Sequence, residues 1–270
     1  MTRTAIIAGQ GALPRLLADR LDAPLLAELH GFPADLGGRP VQPFRLERLV
    51  PFLDHLVGQG IARVCFVGAV RRPRLEPELF DARTATLVPR LLTAMQSGDD
   101  AALREVIAIF GEWGLDVVGA DALAPDLVPG AGVLTGTPSD ADARDAARAA
   151  AIVAGLGALD IGQGAVVAQG LCLAVETLPG TDAMLAFVAD HAPRLRPDPK
   201  GAKGVLYKAP KPGQDRRIDL PAIGPDTVRN AARAGLAGIA WEAGGLLLLD
   251  RAATLAEAGA AGVFLWAREP

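Results

Sequence analysis

The stretch TAIIAGQGALPRLLADRL, residues 4–21, decides the fold class. Residues 4–8 are a short β-branched and apolar run, Gly9-Gln10-Gly11 is a turn, and Leu13, Leu16, Leu17 and Leu21 then recur at helical spacing, with Pro14 suited to a first helical turn. Strand, glycine turn and helix in that order open an α/β unit. Glycines 9 and 11 let a ligand approach the backbone, and the helix N-terminus favours an anion. The dinucleotide fingerprint is incomplete, since Pro14 stands where its third glycine belongs. Glu28, near the end of the next apolar run (24–29), sits where a ribose-binding acid would, so an NAD-linked oxidoreductase is one reading of this half.

Outward from that stretch the pattern continues. Residues 46–59 are helical by periodicity, and 62–67 (ARVCFV) read as a buried strand closed by Gly68. Arg71, Arg72 and Arg74 follow at the carboxyl end of that strand, the edge where open α/β sheets bind ligands; an exposed basic turn is the alternative. Two amphipathic helices, 88–96 and 101–113, flank Ser97-Gly98-Asp99-Asp100, where Asp99 or Asp100 is expected to cap the second in preference to holding a metal. Residues 116–119 give another strand. The turn-rich stretch 129–142 marks a boundary, dividing the chain into domains 1–137 and 138–270.

The second half opens with an alanine-rich helix, 141–156. Asp160-Ile161-Gly162-Gln163-Gly164 then leads into a hairpin of 165–168 and 171–176 turned at Gln169-Gly170. Leu178-Pro179-Gly180-Thr181-Asp182 precedes a helix at 183–191. Either Thr181 or Asp182 caps that helix, or the corner takes a phosphate or sugar hydroxyl. Helices at 227–234 and 252–259 and strands at 238–242, 246–249 and 262–266 complete a second α/β unit. His30, His55 and His191 show no metal-ligand spacing and are expected to be structural or exposed.

One stretch resists a core reading: VLYKAPKPGQDRRIDLPAIGPDTV, residues 205–228. It carries Lys208, Lys211, Arg216, Arg217, Gln214, Asp215 and Asp219 among four prolines, and every lysine of the chain falls between 200 and 211. Proline fixes φ and removes backbone donors, so this is a shaped loop between a strand and a helix. It is either an anion site, with ammonium and guanidinium groups on phosphate and a carboxylate for metal or water, or a solvated loop whose charges pair among themselves.

Composition bounds the rest. With 270 residues, 50% of them hydrophobic, the chain can fill one large core or two ordinary ones, and two is the expectation. A net charge of −4 and no basic stripe with stacking aromatics argue against a nucleic-acid partner. Cys65 and Cys172 lie in apolar runs without metal or redox spacing, as buried free thiols of a reducing compartment would. No apolar run approaches the ~20 residues of a spanning helix. The expectation is a cytoplasmic protein, with peripheral attachment to the inner face of the inner membrane left open.

The motifs together resemble a family. Ile7-Ala-Gly9-x-Gly11-Ala-Leu-Pro14, Gly98-Asp-Asp100-Ala-x-Leu103, Asp160-Ile-Gly-Gln163-Gly-Ala-Val-Val167, Val175-Glu176-x-x-x-Gly180-Thr-Asp182-Ala-Met-Leu185, and Lys208-Ala-Pro-Lys211-Pro with Gln214-x-x-Arg217-x-Asp219-Leu-Pro221-x-Ile-Gly224 resemble the metal-dependent UDP-2,3-diacylglucosamine pyrophosphatases of lipid A biosynthesis, the type unrelated to calcineurin-like phosphoesterases. The resemblance implies a Rossmann-like N-terminal domain, a second α/β catalytic domain, a ligand cleft between them and a homodimer. It implies Mg²⁺-dependent hydrolysis of a lipid-linked UDP-sugar to UMP and 2,3-diacylglucosamine 1-phosphate. Asp219 takes the place of the family's essential aspartate, as catalytic residue and metal ligand. Gly9, Gly11, Gln163, Thr181, Asp182, Lys208, Lys211, Gln214 and Arg217 are the substrate-binding set that follows. Its rivals are the NAD-linked oxidoreductase and a protein that binds a sugar nucleotide without turning it over.

Overall fold

A computed structural model describes residues 3–70, 73–96, 98–218 and 220–269. Asp219, Arg71 and Arg72 therefore lie outside the described residues. The chain divides into two compact units, Met1–Pro125 with Asp215–Asp219, and Asp126–Gln214 with Leu220–Pro270.

The first unit is a doubly wound α/β sheet. Its elements are β1 (Arg3–Ala8), α1 (Leu13–Ala18), β2 (Leu25–Leu29), β3 (Gln42–Phe44), α2 (Leu49–Gly58), β4 (Ile61–Val67), α3 (Ala82–Ala85), α4 (Val88–Gln96), α5 (Asp99–Glu112), β5 (Asp116–Val117) and α6 (Ala120–Leu123). The five strands run parallel in the order β3-β2-β1-β4-β5. β1 is buried from Thr4 onward, as a central parallel strand covered on both faces must be. α2 packs Leu49, Val50, Phe52, Leu53 and Leu56 into a core shared with Ile7, Val64, Ile109 and Phe110, and Ile218 joins that core. The expected cap of α5 is corrected: Gly98, at φ +110, holds the N-cap position, and Asp99 and Asp100 open the helix itself.

The second unit holds β6 (Gly132–Thr135), α7 (Asp140–Ala158), β7 (Gly164–Ala168), β8 (Leu171–Val175), α8 (Gly180–Leu195), β9 (Val205–Lys208), β10 (Ala222–Ile223), α9 (Pro225–Arg233), β11 (Gly238–Glu242), β12 (Leu247–Leu248), α10 (Arg251–Ala261) and β13 (Phe264–Arg268). Its six-stranded sheet runs β6-β13-β11-β9-β7-β8, parallel through β13, β11 and β9 and antiparallel at both edges. Side chains alternate across it. Ala165, Val167, Val205 and Tyr207 meet Ala146, Ala149 and Val153 of α7 on one face. Val166, Leu206, Ile239 and Trp241 meet residues of α8, α9 and α10 on the other. The hairpin turns at Gln169 and Gly170, both at positive φ. The carboxylate of the buried Asp145 accepts from both of their amides, at 2.9 and 2.7 Å.

β6 pairs with β13, so residues 132–135 belong to the second unit and the division falls between 125 and 126 rather than in the turn-rich stretch after 129. The run 246–249 yields only β12, which pairs with β10 in a separate two-stranded sheet. Cys65 is buried, and burial pushes its thiol up to about 12; Cys172 is exposed on the edge strand β8, against the expectation that both thiols are buried.

Candidate active site

β9 ends at Lys208, whose residue is 4% exposed. Strand alternation turns Lys208 to the face covered by α8, and its Nζ donates to Thr181 Oγ1 at 2.7 Å. A second contact is ionic: Glu176 Oε2 lies 3.6 Å from the same Nζ. Glu176 follows β8, its own amide bound to the Gly164 carbonyl at 2.8 Å. The glycines of Gly162-Gln163-Gly164 make this burial possible, because a methyl group at Gly164 would collide with the Glu176 carboxylate and one at Gly162 with its backbone carbonyl. Glu176 Oε2 has no hydrogen bond although buried, and the same holds for Gln163 Oε1 one residue before Gly164. Buried polar atoms are ordinarily satisfied, so an unbonded carboxylate oxygen beside a buried ammonium marks a place for a polar ligand.

Thr181 and Asp182 lie in the first turn of α8, and neither caps it. The N-cap is Pro179, with no side-chain cap, while Thr181 serves Lys208 and Asp182 Oδ1 accepts from Asn230 Nδ2 at 2.9 Å. The amides opening α8 are thus left without a capping side chain beside a buried ammonium, an arrangement suited to phosphate oxygens.

The loop after β9 is braced. Pro210 rests against Gly245 and Pro212 against Gly157. Gln214 Oε1 accepts from the Lys211 amide at 2.7 Å, and the Gln214 amide returns to the Lys211 carbonyl at 3.1 Å. Lys211 Nζ holds Asp160 Oδ1 at 2.5 Å, with Asp160 in a left-handed backbone conformation. Lys211 is therefore anchored at the rim, while Lys208 is inside.

The other predicted residues fall in the first unit. Arg217 grips Asp215 through two nitrogens, at 2.6 and 2.9 Å, and these hydrogen bonds hold the Asp215 carboxyl below the usual carboxylate range. Gly9 and Gly11 follow β1. Gly9 is shaped by its own chain: its amide binds the Val67 carbonyl at 2.7 Å, and a methyl group there would come within 2.7 Å of the Ala69 carbonyl oxygen. Gln10 and Ala69 exchange backbone hydrogen bonds across the same gap. Gly11, at φ +103, has open space around it. Glu28, the expected ribose ligand, instead accepts from the Ala34 amide at 2.9 Å. Among the described residues no three His, Cys, Asp or Glu side chains gather as a metal cluster.

Residues 3–127 match the model of the LpxI N-terminal domain, and residues 130–266 that of the LpxI C-terminal domain. The chain belongs to the LpxI family. It is 40% identical over 277 residues to the UDP-2,3-diacylglucosamine pyrophosphatase LpxI of Caulobacter vibrioides (strain ATCC 19089 / CIP 103742 / CB 15), covering 100% of this chain and 99% of that protein. In this LpxI chain the site residues that sequence reading missed are Glu176 and Asn230. Glu176 stood within a quoted motif, and its signal was the pair of glycines at 162 and 164, whose missing side chains leave a volume that an acid can fill. Asn230 had no such signal, since its pairing with Asp182 joins two helices distant in sequence.

Proposed function

We propose that this chain hydrolyses the pyrophosphate bond of UDP-2,3-diacylglucosamine, releasing UMP and 2,3-diacylglucosamine 1-phosphate, as a step of lipid A synthesis. The name of its Caulobacter relative supports the reaction, and the buried Lys208 between Thr181 and Glu176 carries the chemistry. An ammonium has three N–H donors. Thr181 takes one, and Glu176 stands at ion-pair rather than hydrogen-bond distance, so Lys208 retains donors for a phosphoryl oxygen on which charge develops. In a site shielded from water such a contact is stronger than at a surface. Gln163 and Glu176 offer acceptors for hydroxyl or N–H groups of the substrate or for the attacking water. Lys211 and Gln214 complete the reading as phosphate and nucleotide contacts, and Gly11, with open space around it, keeps the substrate assignment made from sequence, while Gly9 and Arg217 are engaged by their own unit.

Mg²⁺ belongs to this proposal. It takes few protein carboxylates and leaves room for phosphate oxygens and water, and the unbonded Glu176 Oε2 fits so sparse a set. Asp219 is assigned as the metal ligand from its motif; the ion supplies neutralisation of phosphate charge. We further place the enzyme as a homodimer at the cytoplasmic face of the inner membrane. No described helix is long and apolar enough to cross a membrane.

The test is UMP release from UDP-2,3-diacylglucosamine in detergent, with Mg²⁺ or chelator, for wild type, Asp219→Ala and Lys208→Ala. Metal-dependent release lost in both variants is the expected result. Folded wild type that binds the substrate without releasing UMP would make the chain a sugar-nucleotide-binding protein instead.

A further inference from the structure

Two short loops at the base of the β7–β8 hairpin carry apolar side chains into solvent. Thr177-Leu178-Pro179-Gly180 is a turn closed by the Gly180 amide on the Thr177 carbonyl at 2.8 Å, with Gly180 at φ +86. Leu178, its first central residue, is 99% exposed. The second loop follows α7. The Ile161 amide binds the Leu156 carbonyl at 3.0 Å and Asp160 is tied to Lys211, which leaves Leu159 71% and Ile161 44% exposed. Gly162 packs against the Glu176 carbonyl, so the two loops lie side by side.

Single exposed leucines carry no message, whereas neighbouring ones form a surface that water does not favour. Turn tips ordinarily take polar residues. Here both loops are hydrogen-bonded into shape, so the exposure is built in. The rim also adjoins the site, because Thr181 and Glu176 flank Leu178 in the chain and meet at Lys208. Resting on the proposed reaction, whose substrate carries two acyl chains, we infer that Leu159, Ile161 and Leu178 seat the second unit on the lipid surface that holds the substrate. The contact is peripheral, its strength set by the apolar area buried in the interface. One leucine moved from water into lipid favours partition by about tenfold.

The experiment uses the full chain and vesicles of phosphatidylethanolamine and phosphatidylglycerol, with bound protein read by co-sedimentation. Wild type is compared with Leu178→Ser and with the double variant Leu178→Ser/Ile161→Ser. Turnover is read separately on vesicle-borne substrate and on a short-acyl substrate that is monomeric in water. Vesicle affinity is expected to fall about tenfold in the single variant and further in the double. KM on vesicle-borne substrate rises in parallel, while kcat/KM on the short-acyl substrate stays at the wild-type value. Unchanged vesicle binding in the double variant overturns the inference. An equal loss on the short-acyl substrate overturns it too, by placing the rim on the substrate itself, as does a change of oligomeric state in sedimentation velocity, which would make a second copy the occupant. If wild type releases no UMP from either substrate, the reaction reading fails, and vesicle binding alone then decides whether the rim meets lipid.

Discussion

Each unit places glycines at the carboxyl end of an interior strand, and the two sets do different work. Gly9 after β1 and Gly68 after the neighbouring β4 lie against each other's backbone, and the Gln10–Ala69 hydrogen bonds close the gap. Beside β9, Gly162 and Gly164 lie against a side chain, and what fills the volume is the carboxylate of Glu176 facing Lys208. An absent Cβ therefore serves chain packing in the first unit and burial of a charge in the second. A glycine-rich turn beside the carboxyl end of a strand identifies the place of close approach, and the approaching partner decides whether the place is structural or chemical.

The comparison is broken most forcefully at Lys208. Lys208→Ala leaves Glu176 buried without its counter-charge, for which about 3–5 kcal/mol of stability is expected to be lost, read by urea unfolding. Turnover falls on the order of 10²–10³-fold. Adding Glu176→Gln is expected to restore much of the stability and none of the turnover; recovery of turnover would remove Lys208 from the chemistry. Next is Gly164→Ala, whose methyl group displaces the Glu176 carboxylate: a shift of ~1 Å at a site costs up to ~10²-fold in kcat, with a smaller change in melting temperature.

Gly9→Ala sharpens the contrast from the other side. The new methyl group meets backbone on the β4 side, so about 1–3 kcal/mol of stability is lost while kcat per folded molecule holds, as thermal unfolding and active-site-normalised assays would report. A fall in kcat at full stability would instead put substrate against Gly9. The smallest effect is at Arg217. Hydrogen bonds from Arg217 lower the Asp215 carboxyl, so the folded chain binds that proton more weakly than the unfolded chain. The resulting stabilisation is complete above the unfolded value near ~3.9 and is lost as pH falls through the lower folded value. Arg217 is half exposed, so Arg217→Ala should cost at most about 1 kcal/mol at neutral pH, with the difference from wild type shrinking towards zero in acid unfolding below about pH 4.

Local signals made much of this legible. Residues 4–21 read directly as β1, turn and α1, and Gln169-Gly170 read as the hairpin turn because both residues take the positive φ such turns require. Lys208 and Thr181 were both named from sequence and meet in space. What stayed hidden depends on distant partners. β6 is an edge strand that forms by pairing with β13, and a turn-rich stretch conceals it. Thr181 looked like a helix cap because capping is the local use of a threonine there, and only the arrival of Lys208 from β9 gives its hydroxyl another role. Arg217 looked like part of one lysine-arginine clamp, yet the chain sorts it into the other unit and onto Asp215.

That sorting has a consequence for anyone who cuts the gene. The segment Asp215–Asp219 lies far along the chain but is assigned with Met1–Pro125, and Ile218 packs into the core beside Phe110 and Val117. A fragment stopped at residue 125 lacks a piece of its own hydrophobic interior, and the complementary fragment carries that piece away as an orphan. The polypeptide is stitched rather than simply joined, so each half is finished only when the whole has been made.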